Sequence, residues 1–135
     1  GRARARGWVP RDRAAVADAP TVIEGIGRPK VEPCCLFEVV DLVIEVSDED
    51  SIAAAWQTGR VFGRRYGGSS GTNLVACLQL AEGMRERGET GSIVTLLCDR
   101  GERYAQTLFD GDWLAARGID PMPGRARMSE RLRAG

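Results

Sequence analysis

The chain has 135 residues, 43% hydrophobic and 28% charged, enough for one small domain with a core of its own. Lys+Arg and Asp+Glu stand at 19 each, so no net charge draws it toward nucleic acid or an anionic membrane. No apolar run approaches the roughly 20 residues that span a bilayer, and the arginine-rich start has no apolar segment behind it, unlike a secretory signal.

Residues 1–20 carry Arg2, Arg4, Arg6, Arg11 and Arg13 without helical or strand period and end at Pro20. They read as a mobile, solvated tail; the arginines could touch phosphates, but only Trp8 is available for stacking. Residues 21–120 alternate apolar runs with turn signals and read as the folded body. Glu24-Gly25-Ile26-Gly27 opens it, either a turn that lets a ligand approach the backbone or an ordinary turn before Pro29.

Residues 39–46 (VVDLVIEV) are rich in β-branched side chains and predict a strand. Ser47 then suits an N-cap, with Asp48, Glu49 and Asp50 at the positive end of a helix dipole. Ile52, Ala55, Trp56, Phe62 and Tyr66 recur at helical spacing, and Gly67 and Gly68 end that helix. A second helix is expected from about Thr72 to Arg87, with Leu74, Cys77, Leu78, Ala81 and Met84 on its apolar face and Gly88 closing it.

The glycine-rich step Gly67-Gly68-Ser69-Ser70-Gly71-Thr72-Asn73 enters this second helix. It is either a tight turn with a hydroxyl cap or an anion site at a helix start. It lacks the Gly-Lys-Ser/Thr ending of a P-loop. Residues 92–98 (SIVTLLC) predict a strand buried on both faces of a parallel sheet. Cys98-Asp99-Arg100-Gly101-Glu102-Arg103-Tyr104 follows its carboxyl end, where open α/β sheets bind ligands; a solvated charged turn is the plainer reading. Residues 108–117 (LFDGDWLAAR) suggest a short last helix. Residues 121–135 open with Pro121 and Pro123, continue with Arg125, Arg127, Arg131 and Arg133, and read as a basic tail.

The order of elements indicates an α/β fold with parallel strands, yet two strands make a poor sheet alone. Cys34, Cys35, Cys77 and Cys98 form no C-x-x-C pair and there is no histidine, so neither a zinc site nor a histidine-activated nucleophile is expected. Four free thiols fit a reducing cytoplasm.

Taken together in order and spacing, the stretches 23–33 (IEGIGRPKVEP), 39–47 (VVDLVIEVS), 67–74 (GGSSGTNL), 93–104 (IVTLLCDRGERY) and 107–118 (TLFDGDWLAARG) resemble the pyridoxal-phosphate-dependent cysteine synthases of fold type II. The resemblance covers about residues 21–120 and only the C-terminal portion of that family. It implies a partial three-layer sandwich and an amino-acid substrate: an activated serine loses its β-substituent and sulfide replaces it, to give L-cysteine. The cofactor is the electron sink, and a lysine holds it and moves the α-proton.

Carried onto this chain, the turn of Gly25, Ile26 and Gly27 would lie over the substrate side of the cofactor. Gly68, Ser69, Ser70 and Gly71 would start a helix at the cleft. Asp99, Arg100 and Gly101 would lie at the cofactor, with Arg100 where the family commonly has a serine bonded to the pyridine nitrogen. A cation there disfavours protonation of that nitrogen. The family's Schiff-base lysine and phosphate loop precede the first of these stretches, and residues 1–22 match neither. Lys30 is the sole lysine and stands at a position without a catalytic role in the family, so no catalytic residue is expected here.

The resemblance therefore implies part of a synthase that is inactive alone and pairs in a homodimer or with a missing N-terminal half. Two alternatives stand beside it. One is a non-catalytic α/β remnant or interaction module that binds an anion or a full-length synthase. The other is a small phosphate-ligand-binding α/β protein unrelated to sulfur chemistry.

Overall fold

The computed structural model describes residues 21–26, 33 and 36–134, and the chain divides into two units, residues 1–45 and 46–135. In the first unit, Ile23 is buried, its N–H donates to Thr21 Oγ1 at 3.1 Å, and Phe37–Val39 forms one turn of 3-10 helix. Cys34, Cys35, Gly27 and Lys30 lie outside the described residues.

The second unit is built on helix α1 (Asp48–Val61). Its start follows the sequence: Ser47 is the N-cap, its hydroxyl accepting from the Asp50 N–H at 3.1 Å, and three acids fill the first turn. Five consecutive residues, Ser51, Ile52, Ala53, Ala54 and Ala55, are buried, so α1 is enclosed on more than one face. Helix α2 (Gly68–Glu86) and helix α4 (Met122–Ala134) both pack on it. Small residues make this possible, since a Cβ at Gly124 of α4 would stand 2.8 Å from the Cβ of Ala53. Ala54, Val75 and Met128 meet in the core, with Val46, Leu74 and Leu78 partly buried against them.

Helix α1 stops at Val61, short of the expected Tyr66. Gly63 takes a positive φ, and the chain turns back until the Tyr66 N–H donates to Thr58 Oγ1 at 3.0 Å. Gly67 and Gly68 therefore do not end α1; Gly67 caps α2, which starts four residues before the expected Thr72. Glycine and serine lower helix propensity, but here the Gly67 N–H donates to Asp99 O and the Ser70 hydroxyl accepts from the Cys98 N–H. At the other end Gly88 (φ +65) closes α2, with Glu89 N–H donating to Met84 O at 2.8 Å.

Neither expected strand forms. Residues 39–46 and 92–98 join no ladder, and the only bridge among the described residues pairs Tyr66 with Arg100. The expected sandwich of parallel strands is thus not formed among the described residues. Backbone groups become a sheet only against a neighbouring strand, whatever the β propensity of the side chains. Residues 92–98, expected to be buried, are largely exposed.

The last expected helix is shorter than its apolar pattern: α3 is Gly111–Ala115, capped by Asp110, whose carboxylate accepts from the Trp113 N–H at 2.7 Å. Within residues 121–135, expected as a tail, Met122–Ala134 forms α4 instead. Prolines are tolerated in a first helical turn, and Arg, Ala, Met, Leu and Glu are good helix formers. Its arginines are spent on neighbours: Arg127 pairs with Asp50 and Arg131 with Glu82, while the Arg125 guanidinium lies 5.2 Å from the Trp56 ring centre. No helix among the described residues is long and apolar enough to cross a membrane.

Candidate functional site

Two of the three turns singled out in the sequence come together in the second unit. The Gly67 N–H donates to Asp99 O and the Gly101 N–H to Arg65 O, both at 3.0 Å, on either side of the Tyr66–Arg100 bridge. This ties the start of α2 to the turn at residues 98–104. Two side chains of α2 extend the contact. Ser70 Oγ accepts from the Cys98 N–H at 2.8 Å, and Asn73 Nδ2 donates to Leu96 O at 3.0 Å.

The approach is close enough that any side chain at position 67 would displace Asp99 and Tyr104. A Cβ there would meet Asp99 Oδ1 at 2.6 Å and the Tyr104 ring at 2.7 Å. Asp99 is held from the other side too: Tyr104 Oη donates to its Oδ2 at 2.6 Å, and Arg103 lies at 3.7 Å. A carboxylate therefore stands at the positive end of α2 already, a favourable placement that repels any second anion brought to the same point. The hydroxyls of Ser70 and Thr72 are engaged as well, with Ser70 bound to Cys98 and Thr72 donating to Ser51 Oγ at 2.8 Å.

Gly68, Ser70 and Gly71 are buried and Ser69 is half-buried. Arg100 is exposed, and Gly101 is buried at the start of a 3-10 turn, Gly101–Tyr104. Gly25 (φ +86) and Ile26 belong to the first unit, and Gly27 lies outside the described residues. Sequence reasoning placed Asn73 and Tyr104 within the two turns without giving either a role of its own, and it missed Arg65, which carried no local signal.

An apolar groove of about 220 Å³ opens in the same unit, among α1, α2, α4 and Ile93, with Val61, Leu74, Cys77, Leu78 and Leu132 on its walls. Cys77 and Cys98 are free thiols.

The chain is 50% identical over 108 residues to the L-cysteine desulfhydrase Cds1 of Mycobacterium tuberculosis, a match covering 80% of this chain and 29% of that protein. It is 34% identical over 102 residues to cysteine synthase 1 of Neurospora crassa, covering 73% of this chain and 26% of that protein. The N-(2-amino-2-carboxyethyl)-L-glutamate synthase of Ralstonia nicotianae is 36% identical over 96 residues, covering 71% and 28%. No family model matches the chain. These relatives are members of the cysteine synthase and cysteine desulfhydrase family, and the chain is similar to a part of each. It spans between 25% and 29% of the length of the curated relatives it matches.

Enzymes of the cysteine synthase family are of fold type II and use pyridoxal phosphate. Of the residues that the resemblance sets at the cofactor, Arg100 is exposed, and the Asp99 carboxylate lies at the start of α2, where it opposes a phosphate.

Proposed function

We propose that this chain is the C-terminal part of a cysteine-synthase-like enzyme. The enzyme would make L-cysteine from an activated serine and sulfide by β-replacement, and the chain would be inactive alone. What carries the reading is the joining of the two family stretches, residues 67–74 and 93–104, at one place through Gly67–Asp99 and Ser70–Cys98. Residues 21–120 would be the family portion. With the rest of the fold present, residues 39–46 and 92–98 would enter its parallel sheet.

In that setting Gly25, Ile26 and Gly27 would line the substrate side. Gly68, Ser69, Ser70 and Gly71 would frame the cleft, and Asp99, Arg100 and Gly101 would border the cofactor. The chain's own contribution is positional: the bonds of Ser70 and Asn73 set the height of the 98–104 turn against α2. The free thiols fit a reducing compartment such as the cytoplasm.

A second reading takes the desulfhydrase as its guide, since that relative shares 50% of the matched residues. On it, the parent activity releases sulfide from cysteine instead of installing it. Both readings concern chemistry at the β-carbon of one amino-acid class.

The test is titration of the purified chain with pyridoxal phosphate, followed by visible absorbance and borohydride trapping. No saturable adduct is expected. A stoichiometric adduct on Lys30 would overturn the claim that the chain is inactive alone. Supplying the rest of a synthase fold and offering O-acetylserine with sulfide, or cysteine alone, then separates the two readings by product.

A further inference from the structure

We propose that Arg64, Tyr66 and Arg100 form a binding site for an oxyanion, the phosphate-type end of a small molecule. The site stands whether or not the chain is part of a synthase. Tyr66 and Arg100 are the two residues of the antiparallel bridge. Residues paired in this way carry their side chains on one face, with Cβ atoms about 4.5–5.5 Å apart. Arg100 is extended, with φ −76° and ψ 147°, and side chains alternate between faces along an extended chain. By that alternation Arg64, two residues before Tyr66, falls on the face of Tyr66 and Arg100, and Arg65 on the other. The position of Arg65 agrees: a Cβ on Gly101, the neighbour of Arg100, would stand 2.6 Å from the Arg65 Cβ, and the Arg65 guanidinium lies 5.0 Å from the Phe109 ring centre.

The face holds donors without a counter-charge. Arg64 and Arg100 are exposed and form no ion pair among the described residues. Tyr66 is half-buried, its ring set edge-on to Phe62 at 6.2 Å, and its hydroxyl has no hydrogen bond among the described residues. Asp99 alternates to the opposite face, where Tyr104 and Arg103 hold it. Glu102 is the other acid of the turn; it is exposed and forms no ion pair among the described residues. Two guanidiniums on one face repel each other, and an oxyanion between them relieves that repulsion. The guanidinium fork matches two oxygens of a phosphoryl or sulfonyl group, and the phenol can donate to a third. The start of α2 is not the seat, because the Asp99 carboxylate stands there. A nucleic acid is the poorer occupant, since the acids and bases of the chain balance and the face has room for one phosphate instead of a row of them.

The experiment is a titration of the full, nitrogen-15-labelled chain with inorganic phosphate, at an ionic strength held constant with chloride. The Nε–H signals of the arginines and the backbone amides are followed together. Saturable shifts at Arg64, Tyr66 and Arg100 are the expected result. Arg100→Gln then weakens binding at least about tenfold and Tyr66→Phe roughly threefold. Arg65→Gln, on the other face, changes it less than about twofold. Glu102→Gln tightens binding, an effect that loss of folding cannot mimic.

Shifts that chloride reproduces in full overturn the site. So does saturation at the amides of Gly68, Ser69, Ser70 and Gly71 that Arg100→Gln leaves unchanged, which moves the anion to the start of α2. A short single-stranded RNA that binds more tightly than phosphate, with a salt dependence of several charges, assigns the arginines to a polyanion and overturns the proposal as well.

Discussion

The backbone carbonyl of Ser51 lies against Gly71, so α1 and α2 meet main chain to main chain. A Cβ at position 71 would fall on the Ser51 oxygen and stand 2.8 Å from the Ala55 nitrogen. Both obstacles are backbone, which no rotamer change removes.

Gly71→Ala is therefore expected to destabilise the second unit by about 1–3 kcal/mol, the usual cost of overpacking. Alanine's helix preference of roughly 1 kcal/mol opposes this but does not outweigh it. Urea unfolding followed by circular dichroism measures the change, and an unchanged midpoint would refute the close crossing.

Helix α4 should depend on one apolar side chain more than on its charges. Met128 is its buried anchor in the core. Met128→Ala should cost about 2–5 kcal/mol and expose the arginines of α4 to trypsin. The Arg127 and Arg131 pairs are partly solvated, with Arg127 more than half exposed. Replacing either arginine by alanine should cost no more than about 1 kcal/mol. Equal trypsin sensitivity in Met128→Ala and Arg127→Ala would contradict this ranking.

Trp56 joins α1 to the segment before α3. Its Nε1–H donates to Leu108 O at 2.6 Å, and its ring stacks on Phe109 at 6.5 Å. Trp56→Phe keeps an aromatic ring and removes the donor, so a loss of about 1–3 kcal/mol is expected from the unsatisfied carbonyl. A melt no lower than that of the parent chain would show that water replaces the indole.

Glu89 should titrate below the ordinary glutamate range, because Arg87 donates two hydrogen bonds to its carboxylate, at 2.9 and 2.8 Å. A depressed value means that the pair is formed at neutral pH and is lost as pH falls through it. Arg87→Gln should move the Glu89 midpoint upward in an NMR titration. A midpoint indifferent to that change would mean that the fork is not populated in solution.

Much of the second unit was legible in short stretches of sequence. Ser47 and the three acids after it mark the start of α1, because capping is a contact between residues three apart. Gly88 marks the end of α2 for the same local reason. The site was legible as separate turns, but Gly67 and Asp99 are far apart in the chain, and their contact leaves no local pattern. Residues 121–134 were misread since prolines and arginines resemble a tail until Met128 finds its place beside Ala54 and Val75.

The sequence by itself determined where α1 begins and where α2 is closed, and it determined the family resemblance, because both are written in local order. Tertiary structure alone decided three things. Residues 92–98 stay outside any sheet among the described residues, α4 joins the core, and the Asp99 carboxylate occupies the positive end of α2. Each of these depends on which distant group arrives to pair a backbone amide, fill a space or balance a charge, and no single segment specifies its own partner.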